Sequence, residues 1–131
     1  MSVLSLKMAA GERIFVNGAV IGVDRRASLQ LHNAATFLRE SNVMQADEAT
    51  TPLKRLYFAM QRGLLSPADA RVAALEAGVM TEALLTAVSS PAMVDGLLDA
   101  RDALARGRHY GAMRAIKPLF AVEAELLGAA A

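Results

Sequence analysis

Apolar and polar residues alternate along residues 3–43, and from Thr51 the apolar positions recur at helical spacing instead. In VLSLKM the residues Leu4, Leu6 and Met8 fall on one side, as in a half-buried strand. ERIFVNGAVIGV places Ile14 and Val16 before Asn17-Gly18, and Ala19, Ile21 and Val23 after it. Asn-Gly between alternating runs predicts a hairpin, because a type I′ turn needs positive φ at both central residues. Asp24-Arg25-Arg26 predicts the next reversal, and SLQLH and ATFLRE predict two further strands. The connections are too short for crossover helices, so the sheet is expected to be antiparallel.

Thr51-Pro52, Ser66-Pro67 and Ser90-Pro91 each set a hydroxyl residue before proline. A hydroxyl accepts a hydrogen bond from a free N–H of the first turn, and proline at the first helical position has no N–H to leave unpaired. All three are expected to start helices. Leu53, Leu56, Tyr57, Met60 and Leu64 form the apolar stripe of the first. Gly78 is expected to end the second, with a further start at Thr81, and Arg106-Gly107 to end the helix begun at Ser90. A last helix is expected from His109 to Leu127, kinked at Pro118. The predicted fold is α+β. A small N-terminal antiparallel β-sheet (residues 1–46) precedes a C-terminal bundle of about four helices (47–131), packed as one compact unit.

Composition narrows the function classes. The chain has 131 residues and 54% of them are hydrophobic, enough for a core. With no cysteine, disulfides and thiolate zinc sites are excluded. Lys7, Glu12 and Arg13 interrupt the opening stretch, and no window has the length of a membrane span, so a soluble cytoplasmic protein is expected. His32 and His109 lack a carboxylate at ligand spacing and read as partly exposed structural residues. Phosphate-binding glycine loops, nucleophile elbows and paired catalytic carboxylates are absent, so neither an enzyme nor a cofactor is expected.

Net charge is +1, but it is unevenly spread: residues 1–62 hold 8 basic and 5 acidic side chains, while the remainder holds 6 and 8. An anion-binding surface therefore belongs in the first half. Lys54, Arg55, Phe58, Gln61 and Arg62 follow a spacing that sets them opposite the apolar stripe of the first helix. An aromatic ring among cations is a stacking platform for single-stranded RNA. The same spacing equally fits a helix buried on two sides with basic groups reaching out to water.

GERIFVNGAVI, followed by DRRASLQLHNAATFLRE and MQADEATTPLKRLYFAMQ, resembles the FlbT family of flagellin regulators. The likeness spans residues 4–64 in order; from Leu65 onward it extends to length and character, with few distinctive motifs. It implies a post-transcriptional regulator acting on the 5′ untranslated region of flagellin mRNA, typically a repressor, although some members act positively. FlaF commonly works in the opposite sense in the same circuit. The family pattern supplies Arg13, Arg25, Arg26, Lys54, Arg55 and Tyr57 at matching positions, and labels none as an RNA contact. The expected contact set therefore rests on charge and geometry: Arg25, Arg26, Lys54, Arg55, Arg62, Phe58 and Arg13, with the Arg25-Arg26 turn extending the helix surface.

Two readings stay open. One is direct binding to the flagellin mRNA leader. The other is an adaptor that binds flagellin, FlaF or another RNA-binding partner. An excess of three cations on one half is a modest footprint for a self-sufficient RNA binder, and self-association would double it. A homo-oligomer is therefore expected, through a sheet edge or the last helix, where Met113, Ile116, Leu119, Phe120, Leu126 and Leu127 exceed what one neighbour would cover.

Overall fold

The computed structural model describes residues 3–33 and 35–130. The chain divides into two compact units, the first ending at Val43 and the second beginning at Met44.

The first unit holds five antiparallel strands. β1 (Leu4–Met8) pairs with β4 (Ala27–Leu31), setting Leu6 opposite Leu29 and Met8 opposite Ala27. β2 (Arg13–Val16) lies between β3 (Ala19–Gly22) and β5 (Phe37–Arg39). The expected single sheet is thus two small ones. The hairpin forms as predicted: Asn17 (φ 50°) and Gly18 (φ 86°) both take positive φ and join β2 to β3. Asp24-Arg25-Arg26 differs from its expectation, because β3 and β4 do not pair and the turn carries the chain from one sheet to the other. Alternation explains the core, where Leu6, Met8 and Ile14 are buried with Val16, Leu29 and Phe37 against them. Leu4, at the start of β1, stays 47% exposed. Arg39 ties the sheets together, donating to Glu12 Oε1 (3.0 Å) and to the Lys7 carbonyl (3.3 Å).

The second unit is helical. α1 (Pro52–Leu65), α2 (Ala70–Ala87), α3 (Pro91–Ala105), α4 (His109–Ile116) and α5 (Leu119–Ala130) follow in order. Its core is built from Leu53, Leu56 and Met60 of α1, small Ala73 and Ala77 of α2, Met93 and Leu97 of α3, and Met113 and Ile116 of α4, all at most 2% exposed. The three proline starts are present, but only Thr51 accepts a side-chain cap bond, from Lys54 N at 3.2 Å. Ser66-Pro67 opens a single 3₁₀ turn that leads into α2.

α2 overrides the expected break. Gly78 lies in its interior, and Thr81 donates its hydroxyl to the Ala77 carbonyl (2.7 Å) instead of capping a new helix. One glycine costs a helix about 1 kcal/mol, which the buried packing of Ala73, Ala77 and Thr81 along α2 offsets. Gly107 (φ 71°) follows the end of α3 as predicted. Pro118 separates α4 from α5 altogether rather than kinking one helix, since its ring blocks the i−4 carbonyl and it has no N–H to donate. His109, expected to be partly exposed, is buried, its Nε2 3.1 Å from the Ala70 carbonyl. Among the described residues no helix is long and apolar enough to cross a membrane.

Candidate nucleic-acid interface

In the first unit, the β3–β4 turn holds Arg25 and Arg26 in the open. Arg25 makes a loose pair with Asp24, at 3.9 Å with both side chains at least 85% exposed, and Arg26 is exposed with no acidic partner among the described residues. Arg13 opens β2, and its Nε donates to Glu40, so a carboxylate already compensates that guanidinium.

In the second unit, the first turns of α1 carry Lys54 and Arg55. Lys54 Nζ stands 6.0 Å above the centre of the Phe120 ring. Arg55 is exposed and borders a shallow groove of about 250 Å³ with Pro52, Met80, Ala83 and Leu84. Neither cation has an acidic partner among the described residues. Phe58, one turn on, is half-buried.

The far end of the anticipated face is not available in the same way. Arg62 lies 3.3 Å from Glu76 and 3.8 Å from Asp69, so its charge is compensated by carboxylates at the start of and along α2. Gln61 is buried and clamps the backbone of Met44, donating to its carbonyl and accepting from its N–H, both at 2.8 Å. The face that spacing predicted thus narrows to Lys54, Arg55 and Phe58.

Two residues of α5 were not anticipated. Phe120 is the ring beneath Lys54, and Tyr57 meets it edge-on at 5.3 Å with a 71° angle between planes. Burial, reinforced by Tyr110, raises the Tyr57 phenol above its ordinary value. Glu123 is buried and closes the N-terminus of α1: its Oε2 accepts from Leu53 N (2.8 Å), and its Oε1 accepts from the Thr51 hydroxyl. A carboxylate at a helix N-terminus satisfies free donors and meets the positive end of the helix dipole. Both residues reach α1 across a large sequence separation, and local spacing holds no signal of that. Chemically, the α1 surface offers a half-buried Lys54 over the Phe120 ring and an exposed Arg55 at the groove against α2, each suited to a phosphate or another anion.

The model of the flagellar protein FlbT family matches residues 4–127. A relative from Bradyrhizobium diazoefficiens, named probable flagellum biosynthesis repressor protein FlbT 2, is 39% identical over 128 residues, covering 98% of this chain and 94% of that one. Relatives from Brucella ovis and Brucella melitensis, named probable flagellum biosynthesis repressor protein FlbT, are each 39% identical over 126 residues, covering 96% of this chain and 83% of theirs. No solved structure matches the chain.

Proposed function

The chain belongs to the FlbT family of flagellar proteins, and we propose that it is a cytoplasmic, non-enzymatic regulator of flagellin synthesis that binds the 5′ untranslated region of flagellin mRNA directly. The names of its relatives favour repression as the sense of regulation. The observation that supports direct binding is the division among its cations. Arg13 and Arg62 are held by carboxylates, whereas Arg25 is loosely paired and Arg26, Lys54 and Arg55 have no acidic partner among the described residues. Phosphates would meet the second group, with the Phe120 ring beneath Lys54 and Phe58 one turn further along α1.

Each phosphate contact releases counterions, so affinity for a single strand should fall by roughly 0.7 log units per contact for a tenfold rise in salt. The test is binding of the purified chain to a flagellin leader RNA across a salt series. Replacing Arg25, Arg26, Lys54 and Arg55 by alanine should weaken binding and flatten the slope, with circular dichroism unchanged. Equal affinity and slope in the folded variant would overturn direct binding. It would favour an adaptor that engages flagellin, FlaF or an RNA-binding partner, a reading to which the small number of free cations also lends weight.

A further inference from the structure

α2 is apolar on two faces. One packs into its own unit through Ala73, Ala77 and Thr81. The other carries Val72, Leu75 and Val79, which are 49%, 67% and 73% exposed. Leu75 and Val79 are the most exposed large apolar side chains among the described residues. A groove of about 670 Å³ runs beside them along α2 and α3, where Gly78 and Leu104 contribute apolar surface and Arg71, Glu82 and Arg101 supply charge. A helix that is apolar on opposite sides is ordinarily covered on both.

We propose that this face of α2 docks antiparallel against α2 of a second copy of the chain. Charge complementarity under a twofold axis, which sets residue i against residue j and j against i, favours this partner. Leu75 and Val79 are centred on position 77, and Arg71 and Glu82 are centred between positions 76 and 77. The two centres differ by about 0.75 Å along a helix rising 1.5 Å per residue. A single operation therefore stacks Leu75 on the partner's Val79 and brings Arg71 to the partner's Glu82. A parallel arrangement would set Arg71 against the partner's Arg71. Arg71 is exposed and has no acidic partner among the described residues, while Glu82 is bound by Arg101 through Oε1 at 3.1 Å. A side chain at Gly78 would meet nothing within 4 Å of its own chain, so this glycine leaves room for the partner helix to approach. The proposal does not depend on RNA binding.

Sedimentation of the full chain from micromolar to submillimolar concentration should give a mass approaching twice 13.9 kDa. Leu75→Glu with Val79→Glu should return the monomer mass with unchanged circular dichroism. Arg71→Glu and Glu82→Arg should each weaken association about tenfold, since each reverses two symmetric pairs. Mixing those two single variants should restore it, a result that needs no apolar substitution to fold. The chain has no cysteine, so oxidising a mixture of Leu75→Cys and Val79→Cys should cross-link the two variants to each other. A wild-type chain that stays monomeric throughout would overturn the proposal. So would a dimer that survives the folded double-glutamate variant, or a charge-reversed mixture that stays dissociated.

Discussion

Glu123 decides more than its place in the sequence suggests. Its two oxygens take the Thr51 hydroxyl and the Leu53 N–H, so one side chain of α5 satisfies the first turn of α1. Truncation leaves a buried N–H without an acceptor, and bonds to a charged group are worth more than neutral ones. Glu123→Ala should therefore lose about 2–3 kcal/mol in urea unfolding, and Glu123→Gln, which keeps one acceptor oxygen, distinctly less. A loss below about 0.5 kcal/mol for the alanine variant would show that the cap contributes nothing. Tyr57 makes a pH prediction. Its phenol is raised above 10.0 by burial, so the unfolded chain ionises first as pH rises. The contribution of neutral Tyr57 is complete below pH 10 and is lost above it, so stability should fall through that range and Tyr57→Phe should reduce the fall. At this scale the sequence was legible only in part. Charge and spacing put Lys54 and Arg55 on the face of α1 away from its buried stripe, where Arg55 is exposed and Lys54 half-buried. They misplaced Gln61, which is claimed by the Met44 backbone, and they could not foresee that Phe120 would lie under Lys54.

Among elements, legibility follows the range of the interaction. The Asn17-Gly18 hairpin and the Thr51-Pro52 start are short-range devices, and both formed as read. The partition into two sheets depends on β1 reaching β4 and β2 reaching β5, pairings between strands distant in sequence. Two glycines show how the same residue is read differently. Gly18 holds a φ of 86° that L-residues adopt only at a cost, whereas Gly78 sits within a regular helix with open space around it. Gly18→Ala should destabilise the chain by about 1 kcal/mol or more, through left-handed strain. Gly78→Ala should stabilise it by up to about 1 kcal/mol, through helix propensity. Urea midpoints at low protein concentration, where α2 is not engaged by a second copy, measure both. Shifts of the same sign would refute the assignment of Gly78 to a helix interior.

For the whole molecule, the distribution of buried apolar residues separates the two units in kind. Of the core side chains among the described residues, Leu6, Met8, Ile14 and Leu38 belong to the first unit, whereas the helices from α1 to α5 hold fourteen. Conformational entropy scales with the number of ordered residues, and four buried side chains over strands of three to five residues offset little of it. The helical unit has a core of ordinary composition, and the Glu123 cap, the Gln61 clamp on Met44 and the His109 contact with Ala70 all lie inside it. A chain beginning at Met44 should therefore fold alone, with a helical circular dichroism spectrum and one cooperative urea transition. A chain ending at Val43 should give neither dispersed amide resonances nor a cooperative transition. Dispersed spectra from the short chain, or a helical chain that melts without cooperativity, would contradict this account. The outcome also bears on the RNA experiment. If the helical chain folds, its affinity for the flagellin leader isolates what Lys54 and Arg55 contribute, and the difference from the full chain measures what Arg25 and Arg26 add.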